Sequence, residues 1–139
     1  MGIFLALDYG EKRTGIAVTD INKIIASGLT ALSTKEVIPY LIKYCEKNFV
    51  EKLIIGHPKK YNNSESQLET KIKYFIKKLN LSLPKIPIVR HDERFTSKIA
   101  SNAILESGVS KRRRRDHFLV DKVSATILLQ SYLSIYKNT

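Results

Sequence analysis

Ile3-Phe4-Leu5-Ala6-Leu7-Asp8-Tyr9-Gly10-Glu11-Lys12-Arg13-Thr14-Gly15-Ile16-Ala17-Val18-Thr19 is the stretch on which the fold turns. Ile3 to Leu7 is an apolar run too short for a helix. Turn residues follow it, and then a second β-rich run from Thr14 to Thr19, so the two form a hairpin. A third run, Ile24 to Leu32, comes after the turn Asp20-Ile21-Asn22-Lys23. The chain therefore opens as a three-stranded antiparallel meander.

Downstream the period changes. Ser33-Thr34-Lys35-Glu36 has the spacing of a capping box, and Val37, Leu41, Cys45 and Phe49 recur every four residues, which predicts a helix with Pro39 in its early part. The lone Cys45 has no partner for an intramolecular disulfide, and its place on this stripe makes it a core thiol. Leu53-Ile54-Ile55-Gly56 has a buried-strand pattern, and Leu68, Ile72, Phe75, Ile76 and Leu79 mark an amphipathic helix. Pro84 and Pro87 bracket a strand from Ile86 to Arg90. Strand, helix and strand in that order predict a crossover unit with parallel strands. Thr96 is placed to cap a further helix carrying Ile99, Ala103 and Ile104, with Gly108 as its stop, and a last helix is predicted from about Phe118 to Tyr136. The expected fold class is α/β, a five-stranded mixed sheet with its antiparallel half first, parallel strands after, and helices on both faces.

At 139 residues, with 43% hydrophobic and 27% charged residues, the chain has the size and composition of one folded domain spanning 1–139. No uninterrupted apolar run reaches the ~18 residues of a membrane span, and the start lacks a basic leader, so a cytoplasmic protein with no membrane partner is expected. Twenty-four Lys and Arg against 13 Asp and Glu give a net charge of +11, which favours polyanionic partners, nucleic acid first.

Three carboxylates stand where charge is costly. Asp8 ends the first strand on the pleat face of Phe4 and Ala6. Glu93 follows the predicted strand Ile86 to Arg90. On the last helix Asp121, Ala125, Leu128 and Tyr132 fall on one stripe, which must pack on the sheet. Each acid alone has a structural explanation: Asp8 accepting backbone bonds in the turn at Gly10, Glu93 pairing with Arg94 or Lys98, Asp121 favouring a helix N-terminus. Together they are three hard oxygen donors from distant segments, the ligand type that Mg²⁺ or Mn²⁺ prefers.

Leu5-Ala6-Leu7-Asp8-Tyr9-Gly10, Arg13-Thr14-Gly15-Ile16-Ala17-Val18, Asp92-Glu93-Arg94-Phe95-Thr96, Asp121-Lys122-Val123-Ser124-Ala125 and Leu128-Leu129-Gln130-Ser131-Tyr132-Leu133 together resemble the YqgF/RuvX family nearly end to end. That bacterial group is described both as pre-16S rRNA nucleases and as Holliday junction resolvases. The resemblance implies a ribonuclease-H-like fold, divalent-metal phosphodiester hydrolysis, and a cytoplasmic role in maturing the 5′ end of 16S rRNA during ribosome biogenesis. Carried over by position, the family's acidic residues fall on Asp8, Glu93 and Asp121, which would be both catalytic residues and metal ligands. One departure is Gly56-His57-Pro58-Lys59-Lys60-Tyr61-Asn62-Asn63, where the family often has Gly-Leu-Pro and a glycine-containing loop.

On this reading the reaction is a two-metal phosphoryl transfer with the ions about 3.5–4 Å apart, Asp8 bridging them and Glu93 and Asp121 each completing one side. The run Lys111-Arg112-Arg113-Arg114-Arg115 would grip phosphates with steep salt dependence and little sequence preference. Lys12, Arg13 and Arg94, each near a proposed ligand, are further phosphate contacts, Arg94 being equally a salt-bridge partner. His57 and His91 are expected to be loop or hydrogen-bonded histidines rather than proton-transferring ones, His117 part of the basic surface, and Tyr9 packed rather than stacking on a base. Expected partners are pre-16S rRNA or pre-ribosomal particles, with the chain a monomer or weak homodimer. Three other readings stand beside this one: a DNA endonuclease acting on four-way junctions, a non-catalytic RNA-binding assembly factor, and a relative of the actin and sugar-kinase phosphate hairpin. The last would need a second domain.

Overall fold

The computed structural model describes residues 2–58, 67–92 and 116–137. In chain order the elements are β1 (Ile3–Asp8), β2 (Arg13–Thr19), β3 (Ala26–Ser33), a 3₁₀ turn (Thr34–Glu36), α1 (Val37–Lys47), β4 (Val50–His57), α2 (Gln67–Ser82), β5 (Ile88–Asp92) and α3 (His117–Lys137). The strands form one sheet in the order β3-β2-β1-β4-β5. β1, β2 and β3 pair antiparallel, while β1 with β4 and β4 with β5 are parallel. This is the mixed sheet that the sequence predicts. The helix expected after Thr96 lies outside the described residues.

Central position explains why β1 reads as a continuous apolar run rather than an alternating one. Leu5 and Leu7 pack with Val37 and Leu41 of α1 and Ile72 and Leu79 of α2 on one face. Phe4 and Ala6 pack with Ala125, Leu128, Leu129 and Leu133 of α3 on the other. By length and composition α3 could cross a membrane. Here four of its apolar residues, Ala125, Leu128, Leu129 and Leu133, are buried against the sheet.

Two local predictions fail for tertiary reasons. The capping box at Ser33 does not form: Ser33 is extended (φ −57°, ψ 134°) and makes no side-chain cap bond. Thr34 is engaged instead by the β1–β2 turn, its N–H donating to the Lys12 carbonyl at 2.9 Å and its hydroxyl to the Gly10 carbonyl at 2.5 Å. The four-residue stripe also ends early. α1 stops at Lys47, Asn48 turns extended, and Phe49 is 70% exposed rather than packed. Pro39 costs little because it is the third residue of α1, where backbone N–H groups have no helical partner. Cys45 is half-buried, and burial pushes its thiol above the usual range. β5 runs two residues later than predicted, Ile88–Asp92 rather than Ile86 to Arg90.

Candidate active site

The carboxyl ends of the parallel strands converge on one edge. β1 ends at Asp8, and β4 and β5 end together at the paired residues His57 and Asp92. In open α/β sheets ligands bind in the crevice beyond these ends.

Asp8 is half-buried and in register with Gly15 of β2. It shares the pleat face of Phe4 and Ala6, which is the face covered by α3. Gly15 brings α3 close at this level: a Cβ there would lie 1.9 Å from the Asp121 carbonyl oxygen and 3.1 Å from the Lys122 nitrogen. Absence of a side chain at Gly15 is what lets the helix backbone approach. Two acids 113 positions apart in the chain are thus carried to the same end and the same face of the sheet.

Asp121 faces a cation. Its Oδ2 accepts from Arg13 Nε at 2.8 Å, with side chains 32% and 22% exposed for arginine and aspartate. Arg13, expected at a phosphate, therefore uses its Nε to hold Asp121. Lys12 is exposed beside it in the turn. Among the described residues no group of three or more His, Cys, Asp or Glu side chains is arranged to hold a metal. Glu93, Arg94 and Lys111, Arg112, Arg113, Arg114 and Arg115 lie outside the described residues. The acids that are described, Asp8 and Asp121, are carboxylates of the type Mg²⁺ or Mn²⁺ takes, and the Asp121 charge is already met by Arg13. Carboxylate chemistry suits a divalent ion, and the described residues do not by themselves form its ligand set.

The expected minor contributors are occupied elsewhere. His91 Nε2 is 2.8 Å from the Ser131 hydroxyl and its ring meets Tyr132 edge-on, while burial lowers its pKa against the opposing charge of Asp92. Tyr9 packs its ring 5.0 Å from that of Phe75, and burial raises its pKa. His117 is exposed at the start of α3. His57 ends β4, and its Nε2 is buried without a hydrogen-bond partner, 3.7 Å from Glu69 Oε2.

Glu69 is the residue that sequence reasoning missed. It is 1% exposed in the first turn of α2, and Arg90 grips both its oxygens, at 2.7 and 2.6 Å. The same guanidinium donates to the Gly56 carbonyl at 2.8 Å and the Ile55 carbonyl at 3.3 Å. Hydrogen bonding from Arg90 holds the Glu69 carboxyl below its ordinary range despite burial. This four-bond clamp ties α2 and β5 to the end of β4 beside the edge where Asp8 sits. A signal was present: Glu69, Ile72 and Ile76 fall at i, i+3 and i+7, so the acid rides the buried stripe as Asp121 does.

An open sheet in this order, with α3 on one face and α1 and α2 on the other, is the ribonuclease-H-like fold. Thermus thermophilus RuvC in complex with Holliday junction substrate has a similar fold, with a TM-score of 0.58 at 13% identity over 97% of this chain and 96% of that one. The Fowlpox virus resolvase in complex with Holliday junction DNA gives 0.53 at 16% identity over 96% and 98%. The chain belongs to the RuvX family, described as Holliday junction resolvase, whose model matches residues 2–135. Relatives named "Putative pre-16S rRNA nuclease" include one from Phocaeicola vulgatus, 49% identical over 99% of both chains, and one from Porphyromonas gingivalis, 50% identical over 96% of both.

Proposed function

We propose that this chain, acting as one domain in the cytoplasm, is a divalent-metal-dependent nuclease that trims precursor 16S rRNA at its 5′ end. The observation that supports the reading is the close approach of the Asp121 backbone to Gly15, the residue that pairs with Asp8 across β1 and β2. Asp8 and Asp121, with Glu93 as the third acid, would hold Mg²⁺ or Mn²⁺. Such ions supply Lewis acidity at the scissile phosphate and lower the pKa of the attacking water. Arg13 orients Asp121 through its 2.8 Å bond. The clamp between Glu69 and Arg90 fixes the strand ends from behind. Lys12, Arg94 and the basic run Lys111 to Arg115 would contact substrate phosphates, in keeping with the net charge of +11.

The names borne by the curated relatives favour rRNA; the family's own description favours a four-way DNA junction as the second reading. The test incubates the protein and its Asp8→Asn variant with Mg²⁺ or Mn²⁺, a 16S precursor fragment and, in parallel, a synthetic four-way junction. Expected is 5′ processing of the RNA by the parent and none by Asp8→Asn. Cleavage of the junction alone would install the resolvase reading, binding without turnover would leave an assembly factor, and undiminished turnover by Asp8→Asn would remove the proposed mechanism.

A further inference from the structure

A cavity of about 430 Å³ opens on the face of the sheet opposite Asp8, between the β1–β2 turn, the start of α1 and the middle of α2. That is a volume at the scale of small-molecule sites. Its floor is the packed pair Tyr9 and Phe75, and its walls carry Lys35, Lys71, Tyr74 and Lys78, with Glu11 as the acid among the lining residues. Tyr74 is 63% exposed, and Lys78 Nζ lies 4.7 Å from the centre of its ring. Glu11 pairs with Lys71, but both side chains are more than half exposed, so this surface pair is weak and a phosphate can displace it. The walls therefore combine excess positive charge with an exposed tyrosine, over one face of which Lys78 already lies, leaving the other for a base; charge and an aromatic ring are the two elements by which proteins hold an unpaired strand.

Position links the cavity to the candidate active site. Asp8 lies on the pleat face that α3 covers, and its neighbour Tyr9 packs on the opposite side and floors the cavity, so the end of β1 borders both. The pattern of α2 adds to this: Lys71, Lys73, Lys77 and Lys78 stand against Glu69, whose charge Arg90 already takes.

We infer that this cavity is a second contact for single-stranded RNA, in which an unpaired nucleotide flanking the cleaved bond stacks on Tyr74 while Lys71 and Lys78 take its phosphates. The inference rests on the nuclease reading and names where the substrate strand runs beyond the cleavage point. It is tested with the full chain, without divalent ions, by fluorescence anisotropy of a labelled 12-nucleotide single-stranded RNA across a salt series; turnover by the parent with metal is measured separately on the 16S precursor. K71Q/K78Q is expected to weaken binding and to reduce the salt slope by about 1.4, from ~0.7 per phosphate contact on single strands. Tyr74→Leu is expected to weaken binding about tenfold with the slope unchanged, the loss of one base stack. All three side chains reach solvent, so unfolding does not mimic the result, and thermal melts check this. Parental affinity and slope in both variants, or no RNA binding by the parent, overturns the inference whatever the turnover. Parental affinity in Tyr74→Leu alone also overturns it as stated, leaving phosphate contact without stacking. Weakened binding by both variants with no turnover by the parent upholds the contact while the nuclease reading fails.

Discussion

Gly15→Ala places the sharpest demand on the candidate site. The new methyl would sit 1.9 Å from the Asp121 carbonyl oxygen and 2.4 Å from its carbon, both backbone atoms that cannot rotate away. Restoring ordinary contact at 3.4 Å requires α3 to retreat by about 1.5 Å at this point. Overpacking against a rigid helix costs about 3 kcal/mol, the upper part of the usual range. For a chain of this size that lowers Tm by roughly 10 °C. The functional loss should be larger in proportion, because a ~1 Å misplacement of a catalytic group costs on the order of 10²-fold in rate. Gly28→Ala is the milder comparison: it meets side-chain atoms of α3, Lys122 Cγ at 2.7 Å and Thr126 Oγ1 at 3.1 Å, rather than its backbone, so both stability and rate should change less. The assays are thermal denaturation and metal-dependent turnover of the 16S precursor fragment. Gly15→Ala with parental Tm would refute the packing argument. A depressed Tm with parental turnover at a temperature where the variant is folded would refute the role of Asp121.

The remaining predictions concern the clamp and the basic run. Glu69→Gln leaves Arg90 without its carboxylate in a mostly buried place and should cost about 3 kcal/mol, at the low end for a broken buried pair because the Arg90 side chain is 24% exposed; chemical denaturation measures it. Because the folded Glu69 carboxyl binds its proton less readily than an unfolded one, its contribution is complete above the ordinary value of 4.5 and is lost as pH falls below it. The parent should therefore lose stability faster than Glu69→Gln between ~pH 5 and pH 3, and parallel acid titrations of the two would disprove the linkage. Glu51, held at about 2 by the Gly2 N–H and Lys23, adds to the same acid sensitivity. Neutralising three residues of Arg112 to Arg115 should reduce the salt slope of RNA binding by about 2, and an unchanged slope would assign the run to solubility.

What the sequence by itself determined was set by local periodicity. Apolar runs at β1 and β4, the period of α2 and α3, and prolines around β5 specify element type because burial on both faces, on one stripe, or on none imposes different spacings. Asp8 and Asp121 were legible for the same reason, as charges breaking an apolar pattern. Phe49, the unused capping box and the late start of β5 were not, since each depends on a competing partner or end-point that spacing does not encode. Only the tertiary structure decided that Gly15 admits the α3 backbone beside Asp8, that Arg13 holds Asp121, and that Glu69 is clamped by Arg90. These are contacts between segments far apart in the chain, and their geometry exists only once the sheet has fixed which residues face each other.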